Sequence, residues 1–145
     1  MSTNDDITLY NHYKDKETER TMYKRTVIKG VDWQGQVVSS LNNKVLDVIA
    51  TTMIYIFFLG DFGDKKYIGP KAWRRLAADE KDKYFTFSQE DIIVKGICDF
   101  EITPDKTQDL KKLQNTYDDV VEITSAITCD KGSPSMQHWE VGCKQ

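Results

Sequence analysis

Histidine is scarce in this chain, with only His12 and His138, so an imidazole-based metal centre would have to borrow cysteines or carboxylates from distant positions. The three cysteines, Cys98, Cys129 and Cys143, stand far apart and form no C-x-x-C pair. An odd, scattered set of this kind fits free thiols in a reducing compartment and no metal-binding spacing. Cys143 lies five positions beyond His138, but two residues near a chain end do not make a nucleophile and its base. Phosphate-cradling glycine loops are also missing, since neither G-x-G-x-x-G nor G-x-x-x-x-G-K occurs, which excludes nucleotide binding through such loops. Asp61-Phe62-Gly63 shares three letters with the metal-binding motif of kinases, but the rest of that machinery is absent and the letters read as a turn. Long apolar runs are lacking too. The longest, Val48 to Leu59, falls short of the roughly 20 residues a membrane span needs and contains Thr51 and Thr52. The first residues, with Asp5 and Asp6, carry neither the basic nor the hydrophobic segment of a secretory signal. Excess charge of one sign is missing as well: 20 basic residues against 23 acidic ones give a net charge of −3 and no global field for gripping nucleic acid. We therefore expect no catalytic residues, no cofactor and no metal, and a protein that is not an enzyme.

What is present is β structure. Three stretches set an alternating run against a glycine: Thr26 to Trp33 around Gly30, Glu90 to Gly96, and Met136 to Gly142. At 145 residues the chain fits one domain that folds on its own core without disulfide or metal. Residues 1–21 read as a polar N-terminal arm interrupted by Ile7, Leu9, Tyr10 and Tyr13, able to dock on a partner. Residues 22–145 read as the β domain. Gly30 is expected to kink or bulge its strand. Trp33 and Val37 share one face against Gln34 and Gln36, Ser39 to Lys44 form a turn, and Thr52 to Phe58 is apolar on both faces, hence a strand covered twice.

Gly60 to Lys83 reads as a long excursion in which Pro70 opens a short helical turn with Trp73, Leu76 and Ala77 on one side. Phe85 and Phe87 lead through a turn at Gln89 to Asp91 into Ile92-Ile93-Val94, a hairpin candidate. Thr103 as N-cap and Pro104 as first helical residue predict a helix ending near Asn115. Val121, Ile123, Ser125 and Ile127 share one strand parity, and after the turn at Lys131 to Pro134 the last strand puts Trp139 and Val141 inward with His138 and Glu140 outside. The fold class expected is mainly β, a small barrel or sandwich with one short helix and a long projecting loop.

Polar clusters have bland counterparts. Asp118, Asp119 and Glu122 fit a solvated acidic loop better than a glycosidase pair. Lys71, Arg74 and Arg75 around Trp73 form either a basic aromatic surface or a helix whose tryptophan packs down while its cations stay wet.

The order of segments resembles the neck and minor capsid proteins of tailed bacteriophages. The segments are Ile7 to Tyr13 leading into Val27 to Trp33, then Tyr67 to Trp73, Asp91 to Gly96, and Gln137 to Gly142. The resemblance, to head-closure proteins also called stoppers or head–tail connectors, implies a β-barrel forming a homo-oligomeric ring between portal or adaptor and tail. DNA would pass through the lumen without sequence-specific binding, and the protein would be found in the virion and, during assembly, in the bacterial cytoplasm. It implies no catalytic residue. It suggests a loop reaching into the channel, a role assigned to 60–83 with Asp61, Phe62, Lys65 and Lys66 as channel candidates, an intersubunit contact being the alternative role of that stretch. Tyr10, Tyr13, Trp73, Arg74 and Arg75 are the interface candidates, since aromatic and arginine side chains dominate buried interface cores. A tail-completion or tail-terminator ring is the neighbouring alternative. A nucleic-acid-binding barrel stacking bases on Tyr84, Phe85 and Phe87 is another, and a small hydrolase ranks last.

Overall fold

In a computed structural model the period-two pattern becomes eight strands and two short helices among the described residues, which are 4–42 and 45–145, with side chains described outside 36–50. Six strands close a barrel in the order β1 (Asp5–Lys14), β2 (Thr21–Asn42), β3 (Val45–Phe57), β8 (His138–Lys144), β7 (Val120–Cys129) and β6 (Ile92–Lys95). Every pairing in it is antiparallel. The first strand corrects the reading of residues 1–21 as an arm. Asp5–Lys14 pairs with β2 on one side and β6 on the other, so Ile7 and Leu9 belong to the barrel interior.

β2 is long because it serves two neighbours in turn. Its first half pairs with β1 as far as Val31, and its second half, from Asp32, pairs with β3. At the change of partner Gly30 is left out of the ladder, with φ of 77°, and the register shifts. That is the expected bulge, at a backbone angle glycine takes without a Cβ clash. Strand β2 continues through Asn42, so the turn expected at Ser39 to Lys44 is narrower than the sequence suggests. Its last positions, 43–44, and the side chain of Val37 lie outside the described residues.

Two apolar clusters sit on opposite faces of β1 and β6. Inside the barrel, Ile28, Val31, Ile54, Ile56, Ile93, Val121, Val141 and Trp139 meet Phe85 and Phe87. Outside, Tyr10, Ile92 and Val94 are covered by Cys98, Ile102 and Leu113 of the segment that includes α2 (Leu110–Thr116). The strand buried on both faces is thus β6, not β3. Among the described side chains of β3, Thr52, Ile54 and Ile56 are buried while Met53, Tyr55 and Phe57 on the outer face are half-buried, because the covering segment crosses β1 and β6 instead. The helix expected from Thr103 begins only at Asp109, whose side chain caps the Lys112 N–H at 2.9 Å. Upstream, the Asp105 carboxylate accepts from the Thr107 N–H and the Thr103 N–H donates to the Gln108 carbonyl, a loop that competes with helix.

The hairpin expected at Phe85 to Val94 does not form either. β5 (Tyr84–Phe85) pairs in parallel with β4 (Lys66–Tyr67), and β6 enters the barrel between β1 and β7.

Candidate assembly surface

One side of the barrel is sealed by a buried polar network centred on Asp91. Its carboxylate is fully buried and accepts from Asn11 Nδ2 at 2.8 Å, from the His12 N–H at 2.9 Å, from the N–H and hydroxyl of Ser88 at 3.0 Å each, and from His12 Nδ1. Such a carboxylate is tolerable in the interior because its lone pairs are satisfied. The hydrogen bond to Asp91 raises the His12 pKa above its ordinary value of 6.5, against the opposing effect of burial. The Ser88 hydroxyl is spent on Asp91 rather than on the imidazole, so the three residues do not form a nucleophile–base chain. His12 Nδ1 faces the carboxylate, and the ring borders a cleft of about 650 Å³ shared with Arg74, Glu90 and Ser125.

The same side absorbs the excursion. Trp73, in α1 (Pro70–Arg75), is 1% exposed and its indole N–H donates to the His12 carbonyl at 3.1 Å. Phe62 stacks on Phe85 with ring centroids 5.0 Å apart, and Tyr67 stacks on Phe87 at 5.7 Å. Lys65 Nζ donates to the Arg25 carbonyl and the Thr26 hydroxyl at 2.6 and 2.8 Å, and desolvation lowers its pKa. Asp61 bridges to Lys29 of β2. Residues 60–83 are therefore a lid on the barrel, which corrects their assignment as a projecting channel loop: their aromatic side chains find core partners. Of the four channel candidates, Asp61 and Lys66 are exposed, and Phe62 and Lys65 are held.

The interface candidates divide likewise. Tyr10 is fully buried, its hydroxyl donating to the Phe100 carbonyl at 2.6 Å beside Cys98 Sγ, and burial pushes its phenol well above the usual range. Trp73 is core. Neither offers surface to a second copy. Tyr13 is half-buried between the ammonium groups of Lys24 and Lys81, 5.8 and 5.4 Å from its ring centroid, while Arg74 and Arg75 are exposed. Of the expected base-stacking platform, Phe85 and Phe87 lie inside the barrel and are closed to bases, while Tyr84 is half-buried.

The opposite side differs in kind. Strand β8 keeps the expected alternation, with Trp139, Val141 and Cys143 buried and His138 and Glu140 facing out. Burial pushes the Cys143 thiol up to about 12. Strand β7 departs from its expected parity. Ile123 pairs with Cys143 but Ser125 pairs with Gly142, so Thr124 is an extra residue that moves Ile127 and Cys129 to the outer face. Ile127, expected inside, is 55% exposed. The outer rows now run Tyr55–Glu140–Ile127 and Phe57–His138–Cys129 across three strands. Leu59 and Met136 are exposed as well. Strand β6 pairs with β7 only as far as Glu122, so the edge of β7 from Ser125 to Cys129 has no strand beside it among the described residues.

In the last of these rows, donor atoms of Cys129, His138 and Glu140 all lie within 4.8 Å of one another. His138 Nδ1 is 2.8 Å from the Met136 carbonyl and Nε2 is 3.3 Å from Glu140 Oε1. Desolvation first, then the Glu140 carboxylate, raises the Cys129 pKa. The parity of β8 could have supplied two of these residues from sequence; the bulge that delivers Cys129 left no local signal.

Beyond the barrel, β2 and β3 continue as a two-stranded ribbon. Val37 to Asn42 pairs with Val45 to Ala50, whereas β1 stops at Val31 and β8 joins β3 only from Thr51. Six residues at about 3.4 Å each give the ribbon a reach of roughly 20 Å.

No curated protein and no solved structure matches the chain. Residues 2–144 match the profile of DUF6751, a family of unknown function, and the chain belongs to that family.

Proposed function

Within that family, we propose that this chain is a structural virion protein of a tailed bacteriophage, assembling a ring at the head–tail connection that closes the filled head around the DNA channel. The observation that carries the reading is the β2–β3 ribbon. Two-stranded ribbons alone are marginal in water, and this one is built from Val37, Val38, Leu41, Val45, Leu46, Val48, Ile49 and Ala50, with Asp47 the one charge in its paired positions and Lys44 the one charge in the sequence between them. An element of that composition gains most from cover by neighbouring copies, and rotational symmetry provides that cover equally to every copy. The resemblance of the segment order to head-closure proteins agrees with it. In this reading the ribbon, not the 60–83 lid, is the part that reaches toward the lumen, and the bare edge of β7 receives a neighbour. Portal or adaptor and tail proteins are the partners above and below. DNA passes without sequence-specific contact, past a chain of net charge −3. A tail-completion or tail-terminator ring would use the same surfaces at another level of the particle.

The test is electron microscopy of particles assembled with tagged chain, beside particles carrying a chain in which 37–50 is replaced by a short turn. A ring at the neck that disappears with the ribbon supports the proposal. Particles with no copy of the chain at any level, or a ring indifferent to the ribbon, would sink it.

A further inference from the structure

The outer face of the β7–β8 hairpin holds three side chains that the sequence separates and a single bulge unites. Strand alternation in β8 places His138 and Glu140 two residues apart on the same face. The extra residue at Thr124 then turns Cys129 outward, directly opposite His138 in the ladder. The bulge is locked in place. The Thr124 hydroxyl donates to the Gly142 carbonyl at 3.1 Å, and Gly142 has no side chain where a Cβ would meet Ser125 Oγ at 2.7 Å.

A second observation concerns the imidazole. The Met136 carbonyl can only accept, so His138 Nδ1, 2.8 Å away, carries the proton and donates. Nε2, the nitrogen left on the other side of the ring, faces Glu140 Oε1 at 3.3 Å, a separation that either a shared proton or a bound cation can bridge. Cys129 Sγ borders the same space. A histidine held by a backbone carbonyl through one nitrogen and offering the other is how metal-ligating imidazoles are oriented. Sulfur, nitrogen and carboxylate oxygen together suit a borderline-soft divalent cation, and three protein donors leave a fourth tetrahedral position for water.

We propose that Cys129, His138 and Glu140 bind one zinc-class divalent cation on the outer face of the barrel. Binding forms the metal–sulfur bond with release of the Cys129 thiol proton to solvent, and no electron is transferred. The ion clamps the end of β7 to β8 along the edge that β6 leaves bare. The proposal needs nothing from the ring reading and stands or falls separately.

The test uses the full chain, freed of metal, titrated with Zn²⁺ by calorimetry and with Co²⁺ by absorbance. The expected result is one ion per chain and a near-ultraviolet thiolate-to-cobalt charge-transfer band that Zn²⁺ removes. Cys129→Ser should abolish the band. Cys129→Ser and His138→Ala should each weaken Zn²⁺ binding by more than about 100-fold, beyond the loss usual for an outer partner. Nitrogen NMR of the wild-type chain should show His138 Nε2, and not Nδ1, shifting with Zn²⁺, a readout that requires no variant to fold. A wild-type chain that takes up no Zn²⁺ at micromolar excess, a cobalt band that survives Cys129→Ser, or a shift at Nδ1 instead of Nε2 would overturn the proposal.

Discussion

The two sides of this barrel use opposite solutions to the same problem. Around β1 and β6, the outer face is covered by α2 and its approach, the open end by Trp73 and Phe62, and the polar atoms by Asp91. Around β3, β8 and β7, the outer face keeps Tyr55, Phe57 and Ile127 partly or largely in solvent, an edge is bare, and a ribbon leaves the barrel altogether. The first side should govern stability of the single chain. The second should govern what the chain joins.

The largest effect expected from breaking that division is on the sealed side. Trp73→Ala removes the plug of the lid and the donor to the His12 carbonyl, and should cost about 3–5 kcal/mol in urea unfolding of the single chain. Next is the bulge: Gly142→Val places carbon where Ser125 Oγ stands, 2.7 Å from an ideal Cβ. Overpacking there should cost about 1–3 kcal/mol and, by disturbing Thr124, should lower Zn²⁺ affinity in calorimetry.

A smaller effect should appear with pH. Because the folded His12 pKa is raised by Asp91, its contribution is fully present below about pH 6.5 and is lost as pH rises through the higher folded value. Unfolding free energy measured across that window should fall with rising pH, and His12→Gln should flatten the slope. The smallest effect on folding is expected for Ile127→Ser on the open side, within about 0.5 kcal/mol for the isolated chain. If the comparison is right, the same substitution reduces incorporation into assembled particles, and an equal loss in both measurements would erase the distinction between the two sides.

The legibility of the chain divides along different lines. Strand β8 was readable because Trp139, Val141 and Cys143 alternate with His138, Glu140 and Lys144, and a period of two is a local property. Gly30 was readable as a bulge because only glycine takes its φ of 77° cheaply. The bulge at Thr124 was not, since threonine there signals an ordinary strand and the extra residue shows only against Gly142 on the neighbouring one. The lid was misjudged because the composition of Gly60 to Lys83 is that of a loop, and nothing local says that Trp73 bonds the His12 carbonyl or that Phe62 stacks on Phe85.

Alternation by itself determined that this chain is mainly β and which face of β8 turns inward. Tertiary structure alone decided that β1 is barrel and not arm. Thr8 is buried because it bonds Gly96 and Cys98, and Asn11 because it bonds Thr86 and Asp91, partners 75 to 90 positions away. A buried polar group is stable only with its partner in place, and no pattern of local period can say where in the chain that partner stands.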